Sequence, residues 1–309
     1  MKIVFLDAAT VADVPGFQQF YALGDFQSYD HTAPEQVIER LRGAEVAIGN
    51  KIEFTAEVID QLPDLKLICI AATGTNNVDK EAAAARNIPV RNVAGYSTES
   101  VAQLTLTALN ALSMDLLVLN DLVYSGEYSR AKAFATWKRP FFELKGKRYG
   151  IIGLGTIGHR VAELATAYGA EVVYHSTSGK NTEDRYPRLS LDELLATADA
   201  ISIHTALVPA TEGLISHEQL RRMKPTAYLL NLGRGGIVDE EALVEALNGG
   251  EIAGAAMDVF TTEPLPLTHV YRTVNDRSRL LLTPHIGWAS VEAREALIAG
   301  IVTNIQQGW

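Results

Sequence analysis

The sequence has a single cysteine, no long apolar run and no excess of basic residues. One cysteine excludes an internal disulfide, and therefore a fold held together by disulfide bonds. No segment approaches the roughly twenty consecutive apolar residues of a transmembrane helix, so we expect no membrane span. A formal net charge of −10 argues against broad contact with a nucleic-acid backbone. We therefore expect a cytoplasmic protein that binds neither membrane nor nucleic acid.

The chain does contain enough apolar material for two hydrophobic cores. Its 309 residues are 47% hydrophobic, a length and composition that favour two domains. Short apolar segments alternate with helical segments in two successive series, which predicts an α/β fold of two doubly wound parallel sheets. The predicted strands are 3–6, 46–48, 67–71 and 88–90, followed by 149–152, 171–174, 200–203, 228–230, 255–259 and 280–282.

A glycine-rich turn follows the first strand of the second series. Gly153, Gly155 and Gly158 form the pattern Gly-x-Gly-x-x-Gly between a predicted strand and a predicted helix. The first glycine permits a tight turn, the second lets the backbone approach a pyrophosphate, and the third lets helix and strand pack closely. The helix start at Thr156 and Ile157 offers unpaired N–H groups to phosphates. This pattern predicts an NAD or NADP site without a metal.

Because the glycine turn lies in the second series of strands and helices, we expect that series to bind the cofactor. We expect a dinucleotide-binding Rossmann domain over residues 98–284, beginning with a long helix at Thr98 that leads into a polar, aromatic arm. A smaller flavodoxin-like domain over 1–97, completed by 285–309, is expected to bind the substrate.

The segment after the next strand lacks the acid that usually selects NAD. Such an acid accepts hydrogen bonds from the ribose hydroxyls and repels a 2′-phosphate. Here Ser176, Thr177 and Ser178 are followed by Lys180, with no arginine to clamp a phosphate. We expect NADPH to be accepted at least as readily as NADH; a polar loop indifferent to the phosphate is the alternative.

Three later segments place a charged residue after a predicted strand: Arg234, Glu263 and His285. The carboxyl ends of parallel strands are where ligands bind, so these side chains are expected to converge. A guanidinium grips a carboxylate through paired hydrogen bonds, a histidine gives a proton to a carbonyl oxygen, and a carboxylate orients that histidine and favours its protonated form. This chemistry suits reduction of a 2-keto acid. Taken singly, each residue also has a simpler explanation. Arg234 could belong to an ion pair, Glu263 could be a solvated acid, and His285 could be a core histidine.

In these segments the chain resembles the D-isomer-specific 2-hydroxyacid dehydrogenases. The resemblance covers nearly the whole sequence and implies hydride transfer between NAD(P)H and a small 2-keto or 2-hydroxy acid. The segments that carry it, in family order, are 72–79, 100–102, 145–147, 153–158, 231–239, 257–264 and 282–288.

The resemblance also implies roles for individual residues. Arg234 is implied to bind the substrate carboxylate and polarise the keto group, His285 to be the general acid or base, and Glu263 to be its carboxylate partner. Backbone N–H groups of Thr73 and Gly74 are implied to hold the substrate carboxylate. The other implied cofactor contacts are His204 and Thr205 beside the adenine, Asp258 at the nicotinamide carboxamide, and His285 and Gly287.

Two departures from the family pattern bear on the substrate. Residues 72–76 read Ala-Thr-Gly-Thr-Asn where many relatives have Gly-Val-Gly-x-Asp, and Trp288 stands where a small hydroxyl residue is common. A bulky ring narrows the pocket, so we expect a compact acid, hydroxypyruvate or glyoxylate, reduced to D-glycerate or glycolate. The overall pattern is most similar to bacterial glycerate dehydrogenases, also called hydroxypyruvate reductases. The alternatives are a D-lactate-type dehydrogenase and an NAD-sensing interaction protein of the corepressor type.

The family resemblance further implies a homodimer built on the long helix and the arm. The segment near the end of that helix has more apolar surface than one buried face needs. The residues concerned are Leu116, Leu117, Leu119, Leu122 and Val123.

Overall fold

The structure is a computed structural model that describes residues 1–11 and 13–309. It divides into two compact units, one of Met1–Ser97 with Trp288–Trp309 and one of Thr98–Gly287. The second boundary lies three residues beyond the expected 284/285. The reason is local, since the N–H groups of Ile286 and Gly287 donate to the carboxylate of Asp258 in the second unit.

The first unit is built on a parallel five-stranded sheet of order β2-β1-β3-β4-β5. The strands are β1 (Lys2–Phe5), β2 (Asp25–Ser28), β3 (Val46–Gly49), β4 (Leu67–Ile70) and β5 (Val90–Asn92). The helices are α1 (Val37–Leu41), α2 (Ala56–Asp60), α3 (Lys80–Ala85) and a C-terminal helix (Val291–Gln306). Every residue of β3 and β4 is buried, as expected for parallel strands covered on both faces.

Two details of this sheet differ from the prediction. Strand β5 begins at Val90 and not at Ile88, because the Ile88 N–H still donates to Ala83 O at the end of α3. Strand β2 was not predicted at all. It is an edge strand in which only Phe26 is buried, so its sequence has no apolar run to reveal it.

The second unit is built on a parallel six-stranded sheet of order β11-β10-β9-β8-β6-β7. The strands are β6 (Arg148–Ile152), β7 (Glu171–His175), β8 (Ala200–Ile203), β9 (Tyr228–Asn231), β10 (Gly254–Met257) and β11 (Leu280–Leu282). The helices are α4 (Thr98–Ser113), α5 (Leu116–Tyr124), α6 (Thr156–Ala167), α7 (Leu191–Thr197), α8 (His217–Arg222) and α9 (Glu240–Gly249). The strand order reverses at β6, and ligands bind at the carboxyl ends of the strands beside such a reversal.

Each sheet separates two apolar cores, so the predicted α/β class with two doubly wound parallel sheets is confirmed. Along β1, Ile3 and Phe5 enter one core while Val4 enters the other. Along β6, Ile151 and Ile152 likewise enter opposite cores. This alternation is the period of two that a strand buried on both faces requires.

The long helix expected from Thr98 is interrupted. Asp115, between α4 and α5, has a left-handed backbone with φ of 52°, and its buried carboxylate pairs with Arg139. Among the described residues, no single helix has both the length and the apolar content to cross a membrane. Helices α4 and α5 meet that test only when taken together across a 58° bend.

Candidate functional site

The glycine turn lies where the strand order reverses, at the carboxyl end of β6. Gly153 has a φ of +93°, and a Cβ there would lie 2.7 Å from the backbone nitrogen of Thr205 after β8. A Cβ on Gly158 would lie 2.4 Å from Gly153 O. The fold itself therefore requires glycine at positions 153 and 158.

Gly155 is different, because nothing in the protein requires a glycine there. Its φ is −88°, which any residue adopts, and apart from its chain neighbours a Cβ would meet no heavy atom of the described residues within 4 Å. The residue lies at the N-cap of α6, where unpaired N–H groups and the helix dipole favour an anion. Open space at this position fits the close approach of a dinucleotide pyrophosphate to the backbone.

The turn after β7 contains the residues expected near the adenosine ribose. Ser176 is buried, and the Thr177 hydroxyl lies 2.7 Å from the Thr205 hydroxyl. The Arg188 guanidinium donates to Gly179 O at 3.2 Å. The segment from Ser176 to Lys180 contains no arginine, and Arg188 lies eight residues further along the chain. A parallel bridge between Tyr174 of β7 and Arg188 brings the arginine back to the turn.

His204 follows β8 and was expected beside the adenine. Its Nε2 lies 2.9 Å from the Ser202 hydroxyl, and its Nδ1 is buried without a partner in the described part of the chain. Burial lowers the pKa of His204 to about 3. The imidazole is therefore neutral near pH 7, and its Nδ1 is buried.

Asp258 follows β10 and is buried. Its carboxylate accepts from the Thr283 hydroxyl at 2.6 Å, from Ile286 N–H at 2.9 Å and from Gly287 N–H at 2.8 Å. A Cβ on Gly287 would lie 2.9 Å from this carboxylate. Asp258 therefore holds the segment after β11 in place, which was not predicted, and its contact with the nicotinamide carboxamide stays a prediction.

His285 lies in this segment after β11 and contacts Glu263 of the loop after β10. His285 Nδ1 lies 2.6 Å from Glu263 Oε2, and the two side chains are 26% and 27% exposed. His285 has a left-handed backbone with φ of 55°, which is uncommon outside glycine and concentrates at functional sites. Because Nδ1 faces the carboxylate, Nε2 is the nitrogen left to exchange a proton with a ligand.

Arg234 lies on the loop after β9, and this loop packs against the loop that carries Glu263. Buried Asn231 shapes it by donating to Arg234 O at 2.9 Å and accepting from Gly233 N–H at 3.1 Å. A Cβ on Gly235 would lie 2.0 Å from Phe260 O, so the two loops touch backbone to backbone. The Arg234 side chain is exposed, and one guanidinium nitrogen donates to Gly233 O.

The first unit contains the other predicted substrate ligands. Thr73 O accepts from Asn92 Nδ2 at 2.5 Å, which fixes the turn after β4. Within the described residues, the N–H groups of Thr73 and Gly74 have no acceptor in the chain. Trp288 is partly buried at the edge of the core of this unit, with its ring 6.3 Å from that of Tyr96.

The structure describes the potential metal ligands of residues 1–11 and 13–309. No group of three or more His, Cys, Asp and Glu side chains there has an arrangement that would hold a metal ion.

Comparison with known proteins identifies the family. Residues 108–287 match the model of the D-isomer specific 2-hydroxyacid dehydrogenase, NAD binding domain. The chain is 37% identical over 309 residues to the glycerate dehydrogenase of Methylorubrum extorquens, covering 99% of this chain and 95% of the relative. It is 35% identical over 317 residues to the hydroxypyruvate reductase of Blautia hydrogenotrophica, covering 99% and 96%.

A solved structure is also similar along the whole chain. An acyclic imino acid reductase in complex with NADPH and D-Arg has a TM-score of 0.85 and 27% sequence identity, with 99% of this chain and 96% of that chain covered. The matched family model assigns the glycine turn and the three charged loops of the second unit to an NAD-binding domain. The chain therefore belongs to the D-isomer specific 2-hydroxyacid dehydrogenase family, and its cofactor is NAD or NADP.

Proposed function

We propose that this protein reduces hydroxypyruvate to D-glycerate, and glyoxylate to glycolate, with a reduced nicotinamide cofactor. The observation that carries the proposal is the His285–Glu263 pair, which joins Nδ1 to a carboxylate at 2.6 Å and leaves Nε2 for a substrate. The names of the similar glycerate dehydrogenase and hydroxypyruvate reductase support the substrate class. Partly buried Trp288, in place of a small residue, favours a compact acid.

In the proposed mechanism, protonated His285 donates its Nε2 proton to the keto oxygen of the substrate. The Glu263 carboxylate holds the ring by Nδ1 and stabilises the imidazolium before that transfer. Arg234 pairs with the substrate carboxylate and polarises the carbonyl group through its planar fork. When bound, the nicotinamide cofactor supplies the hydride. The N–H groups of Thr73 and Gly74 stay predicted ligands of the substrate carboxylate.

The test is a spectrophotometric assay of NADH and NADPH oxidation with hydroxypyruvate, glyoxylate, pyruvate and 3-phosphohydroxypyruvate. We expect the highest kcat/KM with hydroxypyruvate and a D-configured product. His285→Gln should lose most of this activity, while the control His31→Gln, at an exposed histidine, should retain it. Faster reduction of pyruvate would favour a D-lactate-type enzyme, and reduction of none of the four acids would contradict the proposal.

We further propose that NADPH is accepted at least as well as NADH, with Arg188 as a ligand of the 2′-phosphate. No Asp or Glu occurs among residues 176–182 after β7, and the Arg188 guanidinium lies against the turn at Gly179. Arg188→Ala should lower the NADPH to NADH ratio of kcat/KM by about tenfold, the effect of one lost charge-assisted contact. Arg185→Ala is the matched control, because the exposed Arg185 stacks on Tyr186. An unchanged ratio in Arg188→Ala would exclude this role.

We also propose a homodimer that covers α5 and the segment after it. Leu117 of α5 is 64% exposed, and Phe134 and Trp137 in the following segment are 95% and 62% exposed. Large apolar side chains exposed along one stretch of the chain are typical of a protein interface, and a self-complementary surface closes a twofold dimer. Sedimentation at micromolar concentration tests the proposal, since a monomer there would contradict it.

A further inference from the structure

A second carboxylate–imidazole pair, Glu240 and His269, lies beside the loop that carries Glu263. Glu240 Oε2 is 3.0 Å from His269 Nε2, and the two side chains are only 15% and 9% exposed. Neither residue belongs to the proposed proton transfer. An ionisable pair that is nearly buried is costly to desolvate, so its presence calls for a physical reason.

The hydrogen bonds indicate the tautomer of the His269 ring. His269 Nδ1 accepts from the backbone N–H of Tyr271 at 3.2 Å, so the proton of the neutral ring lies on Nε2. Nε2 therefore donates to Glu240. The ring also packs against Phe260 and Tyr271, with centroids 6.3 and 4.8 Å away, so it holds the Glu240 carboxylate in one orientation.

The oriented carboxylate holds the Glu263 loop by its backbone. Glu240 Oε1 accepts from Thr261 N–H at 2.9 Å, and the preceding N–H, of Phe260, donates to Glu263 Oε1 at 3.0 Å. Two successive N–H groups therefore bind two carboxylates. Because these N–H groups belong to adjacent peptide planes joined at the Phe260 Cα, movement at Thr261 also reorients the N–H that anchors Glu263.

We propose that Glu240, oriented by His269, is a positioning residue that sets the contact between Glu263 and His285. The inference rests on the proposed function, in which that contact favours the protonated imidazole. Without the hydrogen bond from Thr261 N–H to Glu240, the loop of residues 260–263 moves. The Glu263 carboxylate then contacts His285 Nδ1 for a smaller fraction of the time. Glu240 acts through Glu263 and touches neither the substrate nor the cofactor.

Other charged groups near these loops must be considered when pH is the readout. Glu263 faces His285 directly. Buried Asp258 accepts from the N–H groups of the two residues that follow His285. Arg234 lies on the loop that packs against Phe260. Asp239 caps α9 by accepting from Glu241 and Ala242 N–H, one residue before Glu240.

The experiment compares Glu240→Ala with Glu241→Ala, a matched control that removes the same charge from an exposed side chain one residue along α9. The measurement is kcat/KM for hydroxypyruvate reduction as a function of pH. We expect Glu240→Ala to move the alkaline limb about half a unit lower and therefore to lose about threefold in kcat/KM on that limb. Glu241→Ala should match the parent. Glu240→Gln keeps an acceptor for Thr261 N–H but sets its NH2 group against His269 Nε2–H, so it should recover only part of the shift.

A double variant separates positioning from general support of the fold. If Glu240 acts through Glu263, then Glu240→Ala in a Glu263→Gln background should not move the alkaline limb further. NADPH affinity and the thermal midpoint report the integrity of each variant. A limb that stays in place in both Glu240→Ala and Glu240→Gln would overturn the inference, as would an additive shift in the double variant. If Glu263→Gln alone leaves the limb in place, the proposed function fails instead.

Discussion

Replacing Gly155 by alanine separates the glycine that a ligand needs from the glycines that the fold needs. Since no heavy atom of the described residues other than the chain neighbours lies within 4 Å of the added methyl group and φ is −88°, the folded chain accepts it without strain. Removing a glycine reduces the entropy of the unfolded chain and stabilises by about 0.4–1 kcal/mol. Alanine is a poorer N-cap than glycine by a similar amount, about 0.5 kcal/mol. The net change in the free energy of unfolding should therefore be about zero, within roughly 0.5 kcal/mol.

Cofactor binding should respond quite differently. The methyl group would occupy the space through which the pyrophosphate approaches the N-terminus of α6. Displacing the phosphates weakens their charge-assisted hydrogen bonds, which are worth about 1.5–3 kcal/mol, and so predicts a rise in the NADPH Kd of about tenfold to a hundredfold. Gly158→Ala is the contrasting variant, because its Cβ would lie 2.4 Å from Gly153 O and should destabilise the fold by about 1–3 kcal/mol.

The assay pairs urea unfolding, which measures stability, with a fluorescence titration of NADPH, which measures the Kd. An unchanged Kd in Gly155→Ala would refute the reasoning, since the open space would then not be where the cofactor binds. A loss of stability above about 1 kcal/mol in Gly155→Ala would also refute it, because the local packing would then be tighter than the structure shows.

Three further predictions concern charge. Arg234→Lys keeps the charge but loses the planar fork, so kcat/KM for hydroxypyruvate should fall about a hundredfold in the NADPH assay; unchanged kinetics would remove Arg234 from the site. Glu263→Gln removes the charge that favours protonated His285, so the alkaline loss of reduction should occur at lower pH, and a pH profile that stays in place would contradict the pair. The pKa of His204 is lowered by burial from 6.5 to about 3, so the unfolded chain binds this proton first and stability is lost as pH falls from 6.5 towards 3. Between pH 7 and pH 5 this amounts to about 2 kcal/mol of unfolding free energy. His204→Gln should abolish this loss, as measured by urea titrations at the two pH values. An equal pH slope in the parent and the variant would refute the prediction.

The fold was predictable where the burial of whole strands shows in the sequence. Fully apolar strands such as β3 and β4 predict a parallel sheet, and the strands of the second unit were recognised in the same way. Edge strand β2 was not predicted because only one of its four residues is buried. The break between α4 and α5 escaped because it depends on a left-handed Asp115 paired with Arg139, a contact between residues 24 positions apart.

The candidate site was predictable in its residue types but not in its supporting contacts. Each of Arg234, Glu263 and His285 follows a strand, so their order in the chain indicates that they share one sheet edge. Arg188 and Glu240 have no such signal. Arg188 reaches the turn after β7 through a bridge to Tyr174, and Glu240 reaches Thr261 from the start of another helix. Pairings of this kind are decided by tertiary structure and leave no local pattern in the sequence.

The loops that carry Glu263 and His285 are both held in place by hydrogen bonds from their backbone N–H groups to carboxylates. Beyond the ends of β10 and β11 the sheet no longer supplies acceptors for backbone N–H groups, so another acceptor must fix the chain. Carboxylates do so here, since Asp258 accepts from Ile286 and Gly287 N–H, Glu263 from Phe260 N–H and Glu240 from Thr261 N–H. A carboxylate has two accepting oxygens where an amide side chain has one, so a single residue can bind two groups at once. Glu263 uses one oxygen for the backbone and the other for His285, which is why the geometry of its loop and the protonation of the imidazole are coupled.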